Sequence, residues 1–324
     1  MEKFVFFGGK GGVGKTTISS AYGLKCARSG LKTLVVSTDP AHSTSDVFDQ
    51  QFGDEPASVE GHENIWAMEI DPDEEVEEHM MEIKRSMGDQ VSPAIVNEID
   101  RQIELAHRTP GAYEAALFDR FVDVMRNSEE YDRVVFDTSP TGGTLRLLAL
   151  PDFLEGWIDR LLEKRAKSID LFEKAAIGER EARRRAENDP IIARLRERKE
   201  TFEFAGNVLR NEAAFFLVLN PDELSIRETG RAIEELTESG LSVAGLVINK
   251  VTPKPEESED GRGARYLRER CQTERERIDH IRESFDEPVI AVVESRVEEV
   301  KGTLLSDVAG ELDVTVERTP KSTR

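Results

Sequence analysis

The 324-residue sequence predicts an α/β fold, a mostly parallel sheet flanked by helices with a helical lobe inserted into it. Apolar, β-branched runs of buried-strand length alternate with helical patterns along much of the chain. A glycine-rich loop stands between the first such run and the first such helix. Two long helical stretches break the alternation and bring no strand of their own.

The first strand is expected at Phe4–Phe7 and the helix after the glycine loop at Ile18–Arg28. Further strands are expected at Thr33–Ser37, Arg133–Phe136, Ala214–Leu219, Val243–Ile248 and Val289–Val293, and further helices at Ser225–Ser239 and Lys301–Leu312. Such βαβ units cross over right-handedly, so the sheet is parallel and ligands lie at the carboxyl ends of its strands. The exceptions are Pro72–Asn127, with turn signals at Met87–Pro93 and Thr109-Pro110-Gly111, and Phe153–Arg210, broken at Asn188-Asp189-Pro190. The expected organisation is a core of residues 1–71, 128–152 and 211–318, a lobe of 72–127 and 153–210, and a disordered tail at 319–324. Pro253–Gly263 reads as a polar loop, and no fixed-period repeat suggests internal duplication.

Residues Gly8 to Thr17 read GGKGGVGKTT, and Gly9, Gly14, Lys15 and Thr16 satisfy G-x-x-x-x-G-K-[ST]. This is the sequence of a P-loop. Glycines let the backbone amides of Gly9, Gly11, Gly12, Val13 and Gly14 wrap phosphates, and the following helix adds the positive end of its dipole. Lys15 would neutralise the β/γ phosphates, and Thr16 would ligate Mg²⁺ beside Thr17. The implied class is a P-loop NTPase with ATP and Mg²⁺ as its ligands. Lys10 is superfluous to an ordinary cradle. It is either a solvated surface lysine or the early lysine of the variant loop G-K-G-G-V-G-K-[ST]-T, which reaches across a dimer to the partner's nucleotide.

Two further segments follow strands. Ser37-Thr38-Asp39-Pro40-Ala41-His42-Ser43 comes after the second, and Asp137-Thr138-Ser139-Pro140-Thr141-Gly142-Gly143 after the third. MgATP hydrolysis needs a carboxylate at each place. Asp137 would hold Mg²⁺ through water. Asp39 would orient the attacking water, a role contributing about 10²–10⁴ in rate. Turn capping is the alternative for both.

Asp and Glu number 65 against 44 Lys and Arg, for a net charge of −21, and arginine outnumbers lysine about two to one. A diffuse acidic surface poor in lysine suits strong salt, where screening removes self-repulsion, so a halophilic protein is expected. It also argues against nucleic acid as a partner. Two cysteines, Cys26 and Cys271, allow neither a disulfide framework nor a four-cysteine zinc site within one chain. No apolar run approaches the ~18 residues of a membrane span, and Phe4–Phe7 is too short for a signal peptide, so cytoplasmic residence is expected.

Taken together, the variant loop, S-T-D-P-A-H-S and D-T-S-P-T-G-G-T-L-R-L-L resemble the ArsA family of ATPases. That family covers arsenite-pump ATPases and the guided-entry ATPases that carry tail-anchored membrane proteins. Weaker matches follow in family order: Pro110-Gly111 with Glu114, Asp222–Arg231 (DELSIRETGR), Asn249, and Glu299-Val300-Lys301-Gly302. The resemblance implies Asp39 and Lys10 as catalytic residues and Asp137–Leu147 as a switch relaying phosphate state to the lobe. It implies that Asn249 reads the adenine edge and that Asp222 contacts nucleotide, although either could be a simple cap. It further implies a homodimer across the nucleotide, a hydrophobic transmembrane-segment client and a transient membrane receptor.

Three departures accompany the resemblance. Gly143 stands where the family's second switch has histidine, and Arg268 replaces the first cysteine of the C-x-x-C that clamps zinc in many targeting members, so zinc is not expected. The third is the client groove. Met80, Met81, Ile83 and Met87, a second set from Ala115 to Met125, and Trp157, Ile158, Leu161 and Leu162 are apolar at helical spacing. That pattern fits a buried core as well as a groove. The expected function is an ATP-hydrolysing targeting factor, with an arsenite or antimonite extrusion ATPase and a MinD/ParA-type positioning ATPase as alternatives.

Overall fold

A computed structural model of the chain describes residues 2–38, 43–71, 112–137, 159, 160, 162–164, 190–314 and 316, the side chains of 112–116, 190, 191 and 194 excepted. In chain order the elements are β1 (Phe4–Gly8), α1 (Lys15–Arg28), β2 (Thr33–Ser37), α2 (Ser43–Phe48), β3 (Ala57–Ser58), β4 (Ile65–Glu69), α3 (Ala112–Arg126) and β5 (Arg133–Asp137). There follow α4 (Pro190–Asn211), β6 (Ala213–Leu219), α5 (Glu223–Glu238), β7 (Val243–Val251), α6 (Arg262–Ser284), β8 (Val289–Glu294) and α7 (Gly302–Glu311).

The strands form one sheet in the order β3-β4-β2-β5-β1-β6-β7-β8, parallel except where the two-residue β3 pairs with β4. Each expected strand is present within a few residues of its reading, because a run buried on both faces must be apolar throughout. β1, β2 and β5 are buried along their whole length. β3 and β4 were not anticipated. Ile65-Trp66-Ala67-Met68 of β4 is strand-like, but it lies between polar turns and holds a single β-branched residue.

Side chains of period two divide the core into two layers. Val5, Phe7, Val35, Val135, Phe216 and Val218 face α1 and α7, while Phe4, Phe6, Leu34, Phe136, Phe215 and Leu217 face α3 to α6. In the second layer Phe6 stacks on Phe136 at 4.6 Å and on Phe215 at 5.0 Å, its register partners on the neighbouring strands. Phe121 of α3 meets this ladder edge-on. Such rings tie β5, β1 and β6 together directly below the glycine loop.

The segments expected as a lobe contribute to this body. Leu117, Phe121, Val124 and Met125 of α3 and Val208 and Leu209 of α4 pack against the sheet. Phe118 and Val122 meet Phe202 and Ala205 of α4 in a small satellite cluster, with Leu162 beside it. The apolar stripe of α3 from Leu117 onward is therefore core. Met80, Met81, Ile83, Met87, Trp157, Ile158 and Leu161 lie outside the described residues, as do the side chains of Ala115 and Ala116.

Candidate nucleotide site

The carboxyl ends of β2, β5, β1, β6 and β7 lie side by side, and those sequence-selected residues that the structure describes lie at or beside them. β1 delivers the loop. Gly9 (φ 141) runs so close to β6 that a Cβ there would stand 2.2 Å from the Val218 carbonyl oxygen. Gly14 (φ 92) is the N-cap of α1, and a Cβ on it would stand 2.4 Å from the Asn249 amide nitrogen. Only glycine fits at either place, which is how a backbone cradle is kept free of side chains. Lys15, 8% exposed, donates from Nζ to the Lys10 carbonyl at 3.2 Å.

β5 brings Asp137, 1% exposed, level with Ser37 of β2 and Phe7 of β1. The Thr16 hydroxyl donates to Asp137 Oδ2 at 2.5 Å and lies 3.0 Å from the Ser43 hydroxyl at the start of α2. Hard oxygens converging at the mouth of a phosphate loop suit Mg²⁺, so these residues fit the ion. Glu69 anchors α2 from β4, accepting from the Ser45 amide at 2.8 Å and its hydroxyl at 2.7 Å. Thr38 joins β2 to β5 through its amide, which donates to the Asp137 carbonyl at 3.2 Å. Asp39 follows Thr38 directly but lies outside the described residues, as does Gly143.

The other selected residues hold the site's frame. Asn249 on β7 is buried, and its Nδ2 donates to the Val13 carbonyl at 2.8 Å. Asp222 caps α5: Oδ1 accepts from the Ser225 amide and Oδ2 from the Ser225 hydroxyl, both at 2.9 Å. Lys10, about a third exposed, lies 3.9 Å from Glu228 of α5. Sequence reasoning gave no role to Ser43, Glu228 or Lys250. Lys250 Nζ donates to the Gly12 carbonyl at 2.6 Å, and its adjacency to Asn249 was the available signal.

Beside these strand ends, a cavity of about 570 Å³ is lined by Asn220, Asp222, Lys250, Tyr266, Arg270 and Arg277 among others. Its floor is fixed by Glu274, which accepts from the Thr252 amide at 2.7 Å and hydroxyl at 2.8 Å and from Arg270 at 2.8 Å. Burial pushes the Glu274 carboxyl up, but the bonds from Arg270 and Thr252 outweigh it and hold the group below its ordinary value. Cys271 donates to the Thr252 carbonyl at 3.4 Å, and burial, followed by the charge of Glu274, raises its thiol. Arg268, in the family's cysteine position, donates to the Glu256 and Glu259 carbonyls.

Comparison with known proteins agrees with this arrangement. The ArsA ATPase family profile, described as anion-transporting ATPase, matches residues 2–313. ATPase ASNA1 homolog 1 of Paramecium tetraurelia is 32% identical over 93% of this chain and 88% of its own. ATPase get3 of Neurospora crassa is 30% identical over 93% of this chain and 87% of its own. A protein of Aquifex aeolicus, provisionally named arsenical pump-driving ATPase 2, is 33% identical over 92% and 94% respectively.

Proposed function

Because this chain belongs to the ArsA family of anion-transporting ATPases, and is an ATPase, we propose that it is a nucleotide-switched targeting factor for hydrophobic transmembrane segments of tail-anchored proteins. The observation that carries this reading is similarity, over most of both chains, to proteins named ATPase ASNA1 homolog and ATPase get3. The P-loop geometry supplies the chemistry. Amides from Gly9 to Thr17 hold the phosphates, and Lys15 offsets their charge. Thr16, with Asp137 through water, would hold Mg²⁺, which when bound neutralises charge developing on the phosphoryl oxygens. Asp39 orients the attacking water.

Lys10 exchanges Glu228 for the partner's nucleotide when two copies meet, making turnover depend on the dimer. Asn249 and Asp222 border the nucleoside while holding the loop and α5 in place. The γ-phosphate state acts through Asp39 and Asp137 on the segments that follow them, opening and closing the client surface. That surface is assigned to parts of 72–111 and 153–189, since the α3 stripe is committed to the core. The protein works in a salt-rich cytoplasm and meets a membrane receptor transiently. Among the described residues, no helix is long and apolar enough to cross a membrane.

The Aquifex similarity favours a second reading, an arsenite or antimonite extrusion ATPase. Soft metalloids need thiolates. Burial pushes the Cys26 thiol up to about 11, and Cys26 and Cys271 belong to helices on opposite faces of the sheet. The targeting reading is therefore preferred. Its test is co-expression of an Asp39→Asn variant with a tagged tail-anchored segment, purified in high salt. Retention of the apolar segment but not of a version with charges in its apolar run supports targeting. Retention of neither, with wild-type ATPase activity intact, removes it.

A further inference from the structure

We propose that Lys250 is a positioning residue for the nucleotide, which with Asn249 forms a two-point clamp on the outside of the phosphate loop. The proposal rests on the reading that this loop binds ATP. Successive side chains of a regular strand point to opposite faces of a sheet. Asn249 and Lys250 are successive residues of β7, yet both reach the same loop: the amide of one meets the Val13 carbonyl at 2.8 Å, and the amine of the other meets the Gly12 carbonyl at 2.6 Å.

The backbone of Lys250 explains how. Its φ of 58 is left-handed, and the pairing of β7 with β8 shifts register between Ile248 and Val251. A lysine held in that region is strained, and such strain persists only where the surroundings over-determine it. Here the distortion turns a second side chain towards the loop.

The loop has reason to need it. Gly12 and Gly14 flank Val13 at φ 78 and 92, so the peptide groups between them have little intrinsic preference for one orientation. Carbonyls held outward by Lys250 and Asn249 leave the loop's amides facing the phosphates. That freedom is then removed before the nucleotide arrives rather than upon binding. Lys250 also adds a positive charge at the rim of an anion site, at a position the phosphate-loop motif does not specify.

The test compares wild type with Lys250→Met, Lys250→Gly and Lys250→Arg by calorimetric titration with MgADP, together with nucleotide-free melting temperatures. Methionine keeps the stem and the left-handed strain but lacks the amine, whereas glycine relieves the strain. MgADP affinity should fall about tenfold in both variants, the effect of one lost hydrogen bond at a preorganised site. Arginine should recover much of it, and the nucleotide-free methionine variant should melt within about 2 °C of wild type. Affinity of the glycine or methionine variant equal to wild type would overturn the clamp. Absence of MgADP binding by wild type itself would overturn the nucleotide reading beneath it.

Discussion

Thr16 and Asp137, 121 positions apart in sequence, meet at 2.5 Å at the end of the glycine loop, where the proposed Mg²⁺ would bind. Replacing Thr16 by Ala removes a hydroxyl that would hold Mg²⁺, so kcat/KM for ATP should fall about 10²–10³-fold, as expected for several kcal/mol of lost charge stabilisation. Steady-state hydrolysis at saturating Mg²⁺ measures this. Gly9→Ala tests the cradle itself. A Cβ placed 2.2 Å from the Val218 carbonyl at φ 141 forces β1 from β6 and should lower stability by about 2 kcal/mol or more, read as a lower melting temperature without nucleotide. Gly9, Lys15 and Thr16 were legible because a contiguous motif encodes them. Ser43, Glu228 and Lys250 were not, since each acquires its partner only when distant strand ends are brought together. Asn249 was singled out through a resemblance, and its observed bond to the Val13 carbonyl is a loop-anchoring contact that no spacing rule states.

At the level of elements, the sheet is readable because strands that bury most of their length must be apolar, and six apolar runs marked six of its eight strands. β4, as long as β1, β2 and β5 but with fewer β-branched and aromatic residues than any of them, carries a weaker strand signal. α6 is masked by its dense charge, since most of its 23 residues face solvent and only Glu274, Ile278 and Ile281 are buried. Asp222 gives α5 its N-cap, so Asp222→Ala should cost about 1 kcal/mol of stability by chemical denaturation. Any larger loss of nucleotide affinity would then report a direct contact. Glu274 ties α6 to the end of β7 through Thr252. Because its folded-state pKa lies below the unfolded value, its contribution is fully present above the unfolded value and disappears as pH falls through the folded one. Glu274→Gln should therefore be less stable than wild type near neutrality, with the difference shrinking in acid. Melting curves over that range check the sign.

For the whole molecule, charge dominates. A net charge of −21 with few lysines makes self-repulsion the main long-range term, and molar salt reduces the screening length to about 3 Å. The melting temperature should rise with KCl and level off once repulsion is screened. Lys10 sits against Glu228 within one chain, so Lys10→Ala should leave the fold intact but abolish dimer-coupled turnover. Normal hydrolysis in that variant removes the cross-subunit role. The segments on which a client would dock read in the sequence only as apolar at helical spacing, and periodicity cannot distinguish a buried face from a groove. In α3 the stripe from Leu117 onward proved to be core.

In the proposed switch, nucleotide state governs client capture. Its most direct test is equilibrium binding of a fluorescent tail-anchored segment to the Asp39→Asn protein in high salt, with MgATP and with MgADP. Affinities in the two states should differ by at least about tenfold, the coupling expected of a working switch. Equal affinity with both nucleotides, or no binding with either, would contradict it.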